Sequence, residues 1–396
     1  MTPLPLTLRP PLPRSLYIET TSRCNSLCET CILTFGGREP QKDLGWSQFR
    51  TIVDQFPVLE RVLLHGIGEP LLNRELPRMI GHLKARGATV LFNSNAITLS
   101  PKMGRVLVDA GLDELRVSLD ASSRDTYARI RGVDAFDKVV ENLERLAALK
   151  GELAAPRPLV SLWLTALKEN IDEIPGLVPL AVRTGASSLH LQRLVYNGLG
   201  VATEDQSLYG KLEAREREMI RAAEAAAQAV GVGFSASGAT EPEVSLSASP
   251  ADQPWSACRR PWSLAYVTVH GNVLPCCIAP WITNDYDGII LGNLYNQSLE
   301  EIWWGERYRV FRRECVSNLK FFKGMHRFLP TLFRMEGYRV AEIPVSHNPR
   351  FSGKSHYGIW NRLFESSWDL FAIRWMQKRT LPYKVNERIN FPSENV

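Results

Sequence analysis

Between residues 16 and 193 the chain switches six times from a short apolar run to an amphipathic stretch, and this alternation restricts the fold more than any other feature. Strands that are each followed by a helix build a parallel sheet with right-handed crossovers. The predicted strands are 16–20, 62–65, 89–93, 114–119, 160–164 and 189–193, and the predicted helices between them are 47–55, 75–86, 101–110, 136–149 and 174–184. Gly87, Gly111 and Gly185 each close a helix just before the next strand, where a left-handed residue ends it best. Six units suit an incomplete barrel better than an eight-fold one. The expected fold class is α/β: a partial (β/α)6 TIM-like barrel, with ligands at the C-terminal ends of its strands.

Downstream of Tyr196 the pattern changes. A polar loop leads into an Ala/Glu/Arg-rich helix over 208–229, read as a solvated link between domains; 231–254 is rich in Ser, Ala, Gly and Pro and reads as a connection. Residues 255–313 hold cysteines and hairpin signals around 267–273. The expected domains are an extended leader (1–14), the barrel (15–205), a linker helix and connection (206–254), a small cysteine-containing α+β domain (255–316) and a basic C-terminal tail (317–396). At 396 residues the chain can bury more than one core. Its 44% hydrophobic and 22% charged content argues against disorder, collagen and repeat arrays.

Five prolines and no long apolar run in the first fourteen residues do not make a signal peptide. No stretch reaches the roughly 18–20 apolar residues that span a bilayer. A cytoplasmic protein is expected, with peripheral membrane contact as an option resting on the tail. From Val316 to Val396 there are thirteen Lys and Arg against six Asp and Glu, and 14 of the chain's 36 aromatic residues. Such a segment can meet a membrane surface, a phosphate or a nucleic acid. No recognised nucleic-acid module accompanies it, so nucleic acid is not an expected partner.

The seven cysteines fall in three places: Cys24, Cys28 and Cys31; Cys258, Cys276 and Cys277; and Cys315. Clustered and odd in number, in a protein expected inside the cell, they point to metal or redox chemistry rather than structural disulfides. Cys24-x3-Cys28-x2-Cys31 follows directly on the first strand. Three thiolates so spaced can hold three corners of a [4Fe–4S] cube and leave the fourth iron open to an outside ligand. Two rival readings exist. The three could share one helix face as core filler, although three cysteines in eight residues are rare by composition. Structural zinc wants four ligands, usually in separated pairs, and no partnering His or Cys lies nearby in the sequence.

This cysteine motif resembles the signature of the radical S-adenosylmethionine (SAM) enzymes, and further strand ends carry the likeness. His65-Gly66-Ile67-Gly68-Glu69-Pro70 resembles that family's GGEP-type loop, with Gly68, Glu69 and Pro70 matching. Asn93-Ser94-Asn95 is similar to its Thr-Asn-Gly-like turn, Val117-Ser118-Leu119-Asp120 to its Ser-Ile-Asp segment, and Arg129-Ile130-Arg131-Gly132 to its Arg-Gly stretch. The resemblance covers about residues 15–200. It implies a catalytic [4Fe–4S] cluster on Cys24, Cys28 and Cys31. It also implies SAM bound by Gly68, Glu69, Pro70, Asn93, Ser118, Asp120 and, at the sixth strand, Gln192. Read by themselves, the glycines let a backbone approach a ligand closely, while Ser118 and Asp120 equally suit a turn that closes a strand. The implied reaction is reductive cleavage of SAM to a 5′-deoxyadenosyl radical that abstracts a substrate hydrogen, with the protein supplying position and exclusion of water. A reductant protein such as flavodoxin or ferredoxin is an implied partner beside SAM.

The second cysteine set resembles the SPASM or twitch domain that many of these enzymes carry. Gly271-x4-Cys276, Cys277, Leu291-Gly292-Asn293-Leu294 and Leu299-Glu300-Glu301-Ile302-Trp303 carry the likeness. One auxiliary iron–sulfur cluster is implied, on Cys258, Cys276 and Cys315, with Cys277 as a spare or the fourth ligand. Asn318 stands where a further cysteine is expected, so two auxiliary clusters are excluded and an empty site is the other reading. The tail resembles the end of polyprenyl-phosphate family 2 glycosyltransferases, chiefly through 347–358, with Arg350 and Lys354 implied near a lipid phosphate. The nucleotide-sugar half is missing. The expected protein is a radical SAM enzyme acting on a peptide or a lipid-linked sugar. The alternative is a membrane-associated iron–sulfur binding subunit without SAM chemistry that partners a glycosyltransferase.

Overall fold

In the computed structural model the described residues are 10–238, 241–247, 260–282 and 285–316. Those up to Arg313 belong to one compact unit; 314–316 belong to a second, the rest of which lies outside the described residues. The glycosyltransferase-like tail therefore falls outside them as well.

The first six strands are β1 (Ser15–Ile18), β2 (Arg61–Leu63), β3 (Thr89–Ser94), β4 (Glu114–Ser118), β5 (Leu159–Ala166) and β6 (Ser188–Arg193), and each pairs in parallel with the next. The helices between them are α1 (Trp46–Val53), α2 (Leu76–Ala85), α3 (Pro101–Asp109), α4 (Arg124–Arg131), α5 (Phe136–Glu152) and α6 (Ile174–Arg183). All but α4 stand where the alternation places them. Local chemistry sets their ends. Ser100 caps α3 by accepting from the Met103 N–H, with Pro101 in the first turn. Gly87, Gly111 and Gly185 all take positive φ, as expected after a helix.

β1 to β3 are buried along most of both faces and read as apolar runs, whereas β4 and β6 alternate buried with half-buried residues. Val62, Leu64, Val90, Phe92, Leu115 and Val117 pack outward into the main core with the helices. Tyr17, Leu63, Leu91, Leu264, Tyr266 and Leu274 form a separate cluster inside the barrel.

Downstream, two expectations are corrected. The described residues 206–238 and 241–247 are not a linker. Their helix, α7 (Ala214–Ala229), seats Ile220, Ala223 and Ala227 in the interior and leads to β7 (Gly233–Ala236), which pairs in parallel with β6. Small buried side chains suffice to dock the helix, so its charged composition hides the packing. After α8 (Pro242–Leu246) and α9 (Arg260–Ser263), the cysteine domain proves continuous with the barrel. Its β8 (Leu264–Val267) pairs in parallel with β1 on the free edge, and β9 (Asn272–Leu274) and β10 (Gly292–Asn293) extend the sheet antiparallel. The result is one ten-stranded sheet in the order β10-β9-β8-β1-β2-β3-β4-β5-β6-β7, an open partial barrel of the TIM type.

The remaining helices are α10 (Ala279–Ile282), α11 (Leu299–Trp303) and α12 (Glu306–Val316). The end of the leader is tied to them: Trp303 and Trp304 donate their indole N–H groups to the carbonyls of Pro11 and Pro10, each at 2.8 Å. Among the described residues no helix is long and apolar enough to cross a membrane.

Candidate active site

After Ile18 the chain leaves the sheet and runs as an irregular loop through Cys24, Cys28 and Cys31. No helix forms there, which overturns the core-filler reading. Three neighbours pin the loop. The final carbonyls of α4 accept from it: Arg131 O from the Leu27 N–H at 3.2 Å and Ile130 O from the Glu29 N–H at 2.9 Å. Gly132 ends α4 at φ 67, and a Cβ there would lie 2.1 Å from Leu27 O. On another side, the Glu69 N–H donates to Arg23 O at 2.8 Å, and a Cβ on Gly68 would lie 2.2 Å from Thr21 O. Only glycine permits either approach. From β3, Asn95 Nδ2 donates to Asn25 Oδ1 at 2.7 Å and Ser26 Oγ at 3.1 Å, and sits 3.9 Å from Cys24 Sγ.

The three thiols lie within electrostatic reach of one another. Burial raises all three, and the neighbouring Cys28 helps push Cys31 up to about 12. Arg131 opposes the rise at each. Buried thiols of this kind ionise only when a strong cation binds them. Among the described residues no three Cys, His, Asp or Glu side chains are arranged to hold a single metal ion. Three free thiols on one pinned loop fit a multi-iron cluster instead.

Several expected SAM residues hydrogen-bond within the protein. Glu69 is buried and spends both oxygens. Oε1 accepts from the Leu71 N–H (3.1 Å) and Ser94 Oγ (2.7 Å), and Oε2 from the Asn95 N–H (2.6 Å). Pro70, also buried, opens the short turn that follows. Asp120 takes φ 62; its Oδ2 accepts from Arg131 Nη1 at 2.9 Å and its Oδ1 from the Thr165 N–H at 2.7 Å. Its carboxylate therefore has no oxygen left unused by the protein. Ser118 and Gln192 stand half-buried at the C-terminal ends of β4 and β6. Asn93 follows Leu91 into the barrel interior, and the residue that reaches the cysteine loop is Asn95, two places on.

Sequence reasoning passed over Asn95, Arg131 and Glu19. Asn95 and Arg131 lay inside quoted motifs without a role. Glu19, 1% exposed at the end of β1, carried the signal of a carboxylate directly after an apolar strand.

In the second cysteine set, adjacent residues meet different neighbours. Cys277 packs against the inner cluster and has Arg260 Nη1 2.9 Å from its sulfur, whereas Cys276 acts electrostatically on Tyr308. Cys258 lies outside the described residues, and of Cys315 only the backbone, in α12, is described.

The pattern of the radical SAM superfamily matches residues 18–178, the span that carries the cysteine loop and the strand ends around it. Residues 18–178 are a radical SAM domain. A second pattern, that of the SPASM iron–sulfur cluster-binding domain, matches this radical SAM enzyme over residues 258–323. It is 27% identical over 318 residues, 76% of each chain, to the PqqA peptide cyclase of Xanthomonas campestris pv. campestris. It is 26% identical over 194 residues to the mycofactocin maturase MftC of Mycolicibacterium smegmatis, 49% of this chain and 47% of the other. Among solved structures, Streptococcus suis SuiB bound to precursor peptide SuiA matches with a TM-score of 0.58 at 17% identity, covering 76% of this chain and 67% of that one. At that identity the likeness shows the fold alone. A radical SAM enzyme works with a [4Fe–4S] cluster and SAM, and the SPASM match adds auxiliary iron–sulfur binding.

Proposed function

We propose that this radical SAM enzyme modifies a peptide, with the reacting residue held in the open barrel. The observation that carries the reading is the likeness to a peptide cyclase, which spans 76% of both chains. The cluster and SAM, when bound, would supply one-electron cleavage of SAM and the abstraction of a substrate hydrogen atom.

The protein's own residues do the rest. Cys24, Cys28 and Cys31 would hold the cluster. Arg131 sets a fixed cation beside Cys28, offsetting the charge of the thiolates. Gly68 lets the Gly-Glu-Pro loop lie against the cysteine loop, and Glu69 and Asp120 fix the surrounding backbone. Ser118 and Gln192 line the mouth where SAM enters. Cys276 serves the auxiliary iron–sulfur site of the SPASM segment. A reductant protein of the flavodoxin or ferredoxin type completes the reading. The lipid contact drawn from the tail falls on residues outside those described.

The test is to incubate anaerobically reconstituted enzyme with SAM, reductant and short peptides encoded beside its gene. Stoichiometric 5′-deoxyadenosine with a mass change in one peptide supports the proposal. Steady 5′-deoxyadenosine formation with every peptide unaltered, and a lipid-linked sugar altered instead, would overturn it.

A further inference from the structure

Arg193 ends β6 and stands half-buried at the rim of the barrel mouth, beside Gln192. Leu189 and Leu191 of the same strand pack into the outer core, so the alternation along β6 turns Arg193 away from the lumen and toward α8. Its guanidinium is fixed on two sides. Ser245 Oγ spends its proton on Ser237 O at 2.6 Å and so meets Arg193 Nε as an acceptor, at 3.2 Å. The ring of Tyr209 lies against it, with its centroid 4.8 Å from Cζ. Other arginines of the barrel close on carboxylates, Arg116 on Glu114 and Arg131 on Asp120. Glu243 of α8 is taken by Arg217 at 3.0 Å and Arg221 at 2.7 Å. Among the described residues no carboxylate meets Arg193. Nothing there bonds to its Nη1 or Nη2, and both stay open to solvent. Gly238 marks the room beside them. A Cβ built on it meets Arg193 Nη2 at 3.7 Å and, its chain neighbours aside, no other described residue within 4 Å. Burial weakens the hold of the guanidinium on its proton. Drawing a cation part-way out of water without a counter-charge costs free energy, and an anion brought from outside offsets that cost.

We propose that Arg193 docks a carboxylate of the substrate peptide, on a residue flanking the one held in the barrel; the inference rests on the peptide function above. The flanking position follows from direction, since Gln192 lines the mouth and Arg193 points out over its rim. The ligand class follows from the fork. Nε is committed to Ser245, which leaves the outer pair, Nη1 and Nη2, to face an incoming group. Two parallel N–H groups match the two oxygens of one carboxylate. One guanidinium also balances one negative charge. A phosphate monoester carries about −1.5 to −2 at pH 7 and would leave the excess uncompensated. An acidic side chain and a peptide C-terminus share the required chemistry.

The test follows four probes by ligand-observed NMR on the reconstituted, unreduced enzyme with SAM. They are acetyl-Glu-methylamide, acetyl-Gln-methylamide, acetyl-Ala with a free carboxylate, and methyl phosphate. The better of the two carboxylate probes is expected to bind about tenfold more tightly than the glutamine probe, and more tightly than methyl phosphate. Which carboxylate binds better tells a side-chain acid from a C-terminus. Arg193→Gln should abolish the preference over the glutamine probe. Arg193→Lys keeps the charge without the fork, guards against a variant that merely misfolds, and should weaken the preference without removing it. Equal binding of the carboxylate and glutamine probes, including none of any, would overturn the proposal, as would a preference that survives Arg193→Gln. Tighter binding of methyl phosphate would overturn the carboxylate assignment. A carboxylate preference that depends on Arg193, in an enzyme that alters no peptide, would count against the peptide reading and leave the anion site standing.

Discussion

Glu19 Oε2 accepts the backbone N–H of Val269 at 3.1 Å, joining the end of β1 to the β8–β9 hairpin 250 residues later in the chain. The other oxygen takes the Ile67 N–H of the Gly-Glu-Pro loop at 2.8 Å. One buried carboxylate thus links the loop beside the cysteines to the iron–sulfur domain.

Burial is the main cause that raises Glu19 from 4.5 to about 7. The folded protein therefore holds this proton more tightly than the unfolded chain, and stability falls as pH rises between about 4.5 and 7. The size of the effect is about 3 kcal/mol. Urea unfolding across this range should show the slope in the wild type and lose it in Glu19→Gln. Identical slopes would mean that folding leaves the proton affinity of Glu19 unchanged.

Asp120 and Arg131 form a buried pair at 2.9 Å. Asp120→Asn leaves the guanidinium uncompensated and should cost about 3–5 kcal/mol in urea unfolding. Adding Arg131→Met should recover part of that loss. A variant of unchanged stability that fails to bind SAM would place Asp120 on the cofactor rather than in the frame.

Gly68→Ala forces a Cβ to within 2.2 Å of Thr21 O and 2.6 Å of Arg23 O, both backbone atoms rather than the tips of flexible side chains. The cysteine loop must shift. Iron content after reconstitution should drop, and 5′-deoxyadenosine formation should fall by about tenfold or more, a change of 1.4 kcal/mol or above. Normal iron and normal turnover would show that the two loops need not touch.

The six-fold alternation was legible because the buried strand positions are apolar, and because glycines mark the helix ends at 87, 111 and 185. α4 was hidden: only Tyr127, Ile130 and Arg131 of its eight residues are buried, among arginines and other polar side chains. β7 was hidden for a similar reason, since Gly233–Ala236 carries Gly and Ser in place of β-branched residues. At the site, the motifs named the right loops but not the use of each atom. Glu69 and Asp120 look like ligand groups in a linear reading. Their oxygens are taken by Ser94, Asn95, Thr165 and Arg131, partners that only the folded chain brings near. Asn95 gains its place from the turn at Ala96, whose φ of 56 redirects the chain.

The most direct measurement is 5′-deoxyadenosine released when the anaerobically reconstituted protein is given SAM and dithionite. The wild type is expected to form it, and Cys24→Ala, Cys28→Ala and Cys31→Ala are each expected to form none. Wild-type protein that carries a full iron complement and yields no 5′-deoxyadenosine, or that retains zinc in place of iron, would contradict radical SAM chemistry at this loop.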